Sequence, residues 1–406
     1  MLRNPSLIIL WGAELASRLG ESVFQIALLW FLLEATGSAA ATGLVTMVTY
    51  LPAFLVGLWA GVVVDRRDYR TTMLLASLAR LILAAALPLL FILHSLPVTA
   101  VAGLGFLLSC ASSFFGPARD AAIPLLSGGK DLLRANSLVQ SAWQFSLVIG
   151  PFLAAAALPF IPVVQLFWMV ALAFGLSLFM LLGLKPCRSR QGEGAASPAA
   201  FWADFRRGLA YLSGDRPVLW IWVITLVNNF FLMGPVFVGI PVLVRERLGG
   251  TASDYALVEG TYAAGMIVAT WLISRHAGRF DPLRLLFVAL IYDGLTYLPL
   301  YWIQSVPGTL AVIAIHSLGI PAITISRLTV LHARVPQEFQ GRVFSYFHLA
   351  VAGMTALSIG LTGLVLEWLD SHILFAVIGL ICASTGVAGF LLPAFRSFRM
   401  EGAPGK

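Results

Sequence analysis

The dominant pattern along the chain is a succession of long apolar runs separated by short polar intervals. A helix needs about 20 apolar residues to cross roughly 30 Å of hydrocarbon. Runs of that kind fall at 6–33, 40–64, 70–93, 98–118, 133–158, 162–184, 217–243, 255–275, 283–304, 308–328, 342–366 and 372–393. They are continuously apolar, whereas membrane-barrel strands alternate over about 10 residues. The pattern predicts an all-α integral membrane protein with twelve transmembrane helices. The longest polar interval, 185–216, divides six spans from six. The predicted organisation is an N-terminal six-helix bundle (1–184), a cytoplasmic linker (185–216) with an amphipathic segment at 201–209, and a C-terminal six-helix bundle with a short tail (217–406).

Composition agrees: 59% of residues are hydrophobic and 11% charged, where soluble domains hold about 45–50% and about 25%. The net charge of +7 alone would fit a nucleic-acid partner, but its distribution does not. With alternating loops, all but four of the 26 lysines and arginines lie on the side of the N-terminus. The exceptions are Arg245 and Arg247 on the other side, and Arg18 and Arg80 within spans. This is the positive-inside pattern. It predicts a multi-pass protein of a bacterial cytoplasmic (inner) membrane with both termini cytoplasmic, the bilayer as its surroundings and no nucleic-acid partner. The three cysteines, Cys110, Cys187 and Cys382, have no metal-ligand spacing and predict neither metal site nor disulfide. No GxSxG, HExxH or Walker loop occurs, so no enzymatic activity and no cofactor are expected.

The halves echo one another. Arg119 and Arg134 are 15 residues apart at the span 4–5 turn, Arg327 and Arg342 are 15 apart at the span 10–11 turn, and the offset is 208 in both cases. Parallel six-helix halves are a known transporter plan.

Charge inside a span is costly and points to function. Span 1 carries Glu14, Arg18, Glu21 and Gln25, at spacings that place all four in one stripe. Such a stripe faces a cavity or another helix, not lipid. Arg18 can fully neutralise only one of its two glutamates, and a less compensated carboxylate suits proton uptake and release. Arg80 lies mid-span 3, Asn228 and Asn229 mid-span 7, and Asp293 mid-span 9. Asp293 reads as the only acid deep in the C-terminal half and as a second coupling candidate. His316 reads as a hydrogen-bonded core histidine.

Three stretches resemble the major facilitator superfamily. Gly61-Val62-Val63-Val64-Asp65-Arg66-Arg67-Asp68-Tyr69-Arg70 is similar to its signature loop between spans 2 and 3, with Asp68 where a glycine is usual and Tyr69 where an arginine is usual. The segments 114–126 and 132–138, with Ser17-Arg18-Leu19-Gly20, resemble the branch holding macrolide exporters, the enterobactin exporter and, more distantly, lysophospholipid transporters. Gly150-Pro151 resembles the exporter signature of span 5.

The resemblance implies two six-helix bundles around a central cavity, working by alternating access as a monomer. It implies interface or gating roles for Gly61, Asp65, Arg66, Arg70, Arg119, Asp120, Gly150 and Pro151. Gly61 would let two helices approach closely, Asp65 would meet a helix N-terminus across the half-to-half interface, and Arg66 and Arg70 would pair with acids or lipid phosphates. Glu21 follows a glycine where related exporters carry an acid, so it is the expected proton carrier, with Glu14 holding Arg18. The expected function is export of a hydrophobic or amphiphilic small molecule of macrolide type, driven by the proton gradient. A lysophospholipid flippase and a siderophore exporter are the alternatives.

Overall fold

A computed structural model of the chain describes residues 4–65, 67–93, 97–127, 132–187, 206, 210–276 and 279–396. Arg66 and most of the 185–216 interval, including nearly all of the expected amphipathic segment, lie outside these residues. Among the described residues all regular structure is helical. Eleven helices are long and apolar enough to cross a membrane: Pro5–Thr36 (span 1), Tyr69–Ile92 (span 3), Val98–Leu126 (span 4), Leu132–Ala157 (span 5), Val163–Leu182 (span 6), Arg216–Arg247 (span 7), Ala252–Arg275 (span 8), Pro282–Tyr301 (span 9), Val306–Arg334 (span 10), Val343–Val365 (span 11) and Ser371–Leu391 (span 12). Span 2 is the shorter helix Ala39–Leu55, continued by Gly57–Asp65.

Helix starts follow local chemistry. A short polar side chain before the first turn can accept a hydrogen bond from an otherwise orphaned backbone N–H. Asn4 Oδ1 accepts from Ser6 N at 3.1 Å. Asp68 accepts from Thr71 N at 2.8 Å, Asp281 from Arg284 N at 2.8 Å and Ser305 from Gly308 N at 3.3 Å. Span 4 runs eight residues past its expected end at 118 and keeps Pro117 and Pro124 inside the helix. Span 10 is interrupted between His316 and Ile320.

The chain forms two compact units, Met1–Ala195 with Gly249–Gly260, and Ala196–Leu248 with Thr261–Lys406. The opening turns of span 8 therefore pack with the first unit, where Ser253 Oγ donates to Ala155 O at 2.8 Å and Trp30 stacks on Tyr255 at 6.0 Å.

Span 1 is the axis of the first unit. Leu10, Ala13, Leu29, Leu32 and Leu33 are fully buried along it, while span 6 beside it turns Leu172, Phe179 and Leu182 outward, as lipid-facing helices do. A Cβ on Gly150 would strike the Ser22 side chain, so that glycine lets spans 5 and 1 close together. Pro151 follows inside a helix that continues to Ala157.

In the second unit spans 9 and 12 form the tightest seam. A Cβ on Gly294 would collide with the backbone of Gly379 and Ala383. Small residues allow this close backbone approach, which is how membrane helices gain packing energy.

Candidate functional site in the first unit, and a second polar cluster

The stripe of span 1 has formed on one face and has gathered partners from other helices. Arg18 Nε donates to Glu14 Oε1 at 2.8 Å, and Arg18 NH1 to Glu21 Oε2 at 2.9 Å. Arg80 of span 3 reaches the other oxygen of Glu21 at 3.1 Å and also donates to Ser17 Oγ at 2.8 Å and Ser77 Oγ at 3.2 Å. Its guanidinium lies between the rings of Phe115 and Phe174, 4.3 and 4.7 Å from their centroids. Arg119 of span 4 pairs with Glu14 in a short contact and with Asp120 at 2.8 Å. Glu14 and Arg80 are fully buried, and Asp120 is largely exposed.

Glu14 holds Arg18 as expected, but the arrangement corrects the reading that this leaves Glu21 less compensated. Arg18 is not the sole cation. Three guanidiniums serve two buried or half-buried carboxylates, and both oxygens of Glu21 accept from arginine. A proton arriving on Glu21 would have to compete with the charge of both donors. The sequence pattern could not show this, because Arg80 and Arg119 lie 59 and 105 residues from their partners.

Arg18 and Glu21 form one wall of a cavity of about 380 Å³ in the first unit. Gln25 joins them, so the outer end of the stripe faces the cavity. The rest of the lining is apolar, from Phe24, Leu28, Leu29 and Leu108, or hydroxyl-bearing, from Thr46, Thr49, Tyr50, Ser109, Ser112 and Ser113. Mostly apolar walls with a few placed polar groups are the usual make-up of a small-molecule pocket.

The loop residues take humbler positions. Among the described residues Gly61 mediates no close approach, since a Cβ there would meet nothing within 4 Å. The short helix packs through Ala60 and Val64, one turn apart and both buried, which turns Gly61 off the contact. Among the described residues Arg70 pairs with no acid: it donates to Leu181 O at 3.3 Å and Leu182 O at 2.9 Å. A cation on the last carbonyls of span 6 suits the negative end of a helix. Asp68, in the place of the usual glycine, caps span 3 and accepts from Thr71. Asp65 closes its helix, and its side chain is not among those described.

Sequence reasoning missed one acid. Glu259 lies on span 8 one turn after Tyr255, facing Tyr50 of span 2. The signal was present as a lone glutamate in an apolar run, near enough to its predicted start at 255 to pass as a helix end.

The second unit holds a different polar cluster. Asp293 and His316 are both fully buried, with His316 Nε2 3.6 Å from Asp293 Oδ1. Asn228 Nδ2 donates to Asp293 Oδ2 at 3.4 Å, whereas Asn229, on another face, accepts from Thr355 at 3.0 Å. Thr296 Oγ1 is 2.9 Å from His316 Nδ1.

A profile of the Major Facilitator Superfamily matches residues 10–359. Macrolide efflux protein A of Streptococcus pyogenes is 24% identical over 341 residues, covering 83% of each chain. The multidrug efflux pump Tap of Mycolicibacterium fortuitum is 25% identical over 424 residues, covering 99% of each. Among solved structures, an auto-inhibited POT family peptide transporter superposes with a TM-score of 0.73 at 14% identity, covering 99% of this chain and 98% of its own. The nucleoside transporter NupG superposes with a TM-score of 0.71 at 11% identity, covering 95% and 98%. At these identities the structural likeness establishes the fold alone.

Proposed function

The chain belongs to the major facilitator superfamily, and from that membership we propose that it is a secondary exporter of hydrophobic or amphiphilic small molecules. The observation that carries this reading is the cavity of the first unit. Its apolar and hydroxyl-bearing walls suit the body of an amphiphile, and the Arg18–Glu21 wall suits its polar group. The macrolide and multidrug efflux names of its relatives point the same way.

The exporter works by alternating access, is powered by the proton gradient, needs no cofactor and acts as a monomer. It lies in a bacterial inner membrane with both termini cytoplasmic. Asp65, Arg66, Arg119, Asp120, Gly150 and Pro151 serve the interface that gates it. A lysophospholipid mover is the competing reading, because the guanidinium of Arg18 on the cavity wall also suits a phosphate headgroup.

The deciding experiment is flux in proteoliposomes under an imposed pH gradient, with erythromycin, a lipophilic dye and a fluorescent lysophospholipid as probes. Proton-driven movement of erythromycin or the dye is expected. Movement of the lysophospholipid alone, indifferent to the gradient, would replace the efflux reading. Periplasmic labelling of a cysteine placed at Gly194 would overturn the orientation.

A further inference from the structure

The buried pair in the second unit is one proton short of neutrality, and the groups around it show where that proton belongs. Thr296 Oγ1 lies 2.8 Å from Tyr292 O, 3.0 Å from Asp293 O and 2.9 Å from His316 Nδ1. Its one proton goes either to a carbonyl, with Nδ1–H donating to the hydroxyl, or to Nδ1 itself. A neutral imidazole carries one N–H, so the first arrangement leaves a bare lone pair on Nε2 and the second puts the N–H on Nε2. That nitrogen faces Asp293 Oδ1 at 3.6 Å. Both atoms are buried and otherwise without a hydrogen-bond partner among the described residues. The other aspartate oxygen is occupied by Asn228.

With Nε2 bare, two acceptors point at each other in a dry site and are each left unsatisfied, at about 1–3 kcal/mol apiece. With the N–H on Nε2, the aspartate is still a buried charge, which is costly to leave unpaired. The 3.6 Å gap has no room for a water between them. One added proton leaves a net-neutral, hydrogen-bonded pair in either case. Among the described residues no other charge answers for it. The groups around the pair are Cys382 of span 12, Tyr297 of span 9 at 4.0 Å from the imidazole centroid, Tyr262 of span 8 at 6.1 Å, and Asn228 of span 7. Arg327 of span 10 shares a small cavity with Asn228 but makes no ion pair with Asp293 among the described residues.

We propose that Asp293 and His316 together hold one exchangeable proton inside the second unit, and that its binding and release is the proton step of transport. His316 is then a working member of the site rather than a core histidine. The assignment rests on the proton-driven reading above for its role in transport, but not for the existence of the shared proton. The interruption of span 10 directly after His316 places the imidazole at a point where the helix can change its course without breaking an internal ladder.

Two measurements on the full-length protein in lipid nanodiscs and vesicles test it separately. Infrared difference spectra across a pH titration, with ¹⁵N-histidine NMR, should find the proton on one partner at neutral pH: a carboxylic C=O band lost in Asp293→Asn, or an imidazolium lost in His316→Gln. His316→Gln should also shift the pH at which the Asp293 band disappears. Observing an ionised Asp293 beside a neutral His316, in either tautomer, would overturn the proposal, as would a titration of Asp293 untouched by His316→Gln. Should Asp293→Asn not fold, His316→Gln alone decides. In vesicles loaded with erythromycin, Asp293→Asn should lose pH-driven flux yet keep gradient-independent exchange; retained proton-driven flux would overturn the role in transport. Wild-type protein that holds the proton but does not move erythromycin would discard the macrolide reading and leave the site standing.

Discussion

Both units place charge in the middle of the membrane, and they balance it in opposite ways. In the first unit, three arginines converge on Glu14 and Glu21, so that each carboxylate is held by two cations. In the second, Asp293 has an amide on one oxygen and an imidazole near the other, with no ion-paired cation among the described residues. An over-compensated network keeps its charges and holds helices in register, because breaking a buried pair strands a charge. An under-compensated acid can be relieved only by a proton. The comparison separates structural charge from exchangeable charge, and residue type alone does not reveal which is which.

The largest blow to this contrast would come from Arg80. It is fully buried, reaches Glu21, Ser17 and Ser77, and sits between two rings. Arg80→Leu should destabilise the protein by about 3–5 kcal/mol, read as lower yield of monodisperse protein and earlier thermal unfolding in detergent. An unchanged melting curve would show that the network is not structural.

Glu14→Gln should cost less, about 1–3 kcal/mol, because the amide oxygen can still accept from both Arg18 and Arg119, which share Glu14 Oε1, but brings them no negative charge. A double-mutant cycle with Arg119→Gln should return a coupling of about 0.5–3 kcal/mol. Simple additivity would break the claimed link between spans 1 and 4.

Glu21→Gln sharpens the comparison most directly. Glu21 is partly open to the cavity, so its loss should lower stability by about 1 kcal/mol or less and slow transport while the pH dependence of flux stays as in wild type. Abolition of proton-driven flux in Glu21→Gln, with Asp293→Asn still coupled, would return the carrier role to span 1.

The smallest effect is expected at Arg70. Arg70→Ala removes two hydrogen bonds to the end of span 6, costing about 0.5–1.5 kcal/mol. Nearby, burial pushes the Cys187 thiol above its usual range, and Asp68 adds to this. The wild-type thiol is therefore short of thiolate at neutral pH and should react slowly with maleimide. Arg70 pulls the thiol the other way, so Arg70→Ala should slow that labelling further. Equal labelling rates would mean that the Arg70 charge does not reach this corner.

The twelve spans and the one-sided stripe of span 1 were legible, since each depends on a residue's near neighbours. What stayed hidden depends on distance in the chain. Arg80 and Arg119 bring their charge to span 1 from other helices, and His316 meets Asp293 across 23 residues and a turn. Alone, His316 reads as a packed core side chain; only its place 3.6 Å from a fully buried aspartate reveals the pair. The packing side of Gly57–Asp65 also escaped the sequence, because the motif suggests that Gly61 makes the contact while the buried pair is Ala60 and Val64.

The glycine seam between spans 9 and 12 restricts how the chain can vary over time. Gly294 leaves no space for a single methyl group against Gly379 and Ala383, and it directly follows Asp293. Lineages can exchange lipid-facing leucines freely, but at position 294 every alternative residue adds at least a β-carbon and would wedge the two helices apart. Drift in substrate preference is therefore expected in the cavity lining of the first unit, while this stretch of span 9 stays almost frozen. A saturation library scored for survival under erythromycin should show that boundary as an abrupt loss of tolerance between the cavity wall and the seam.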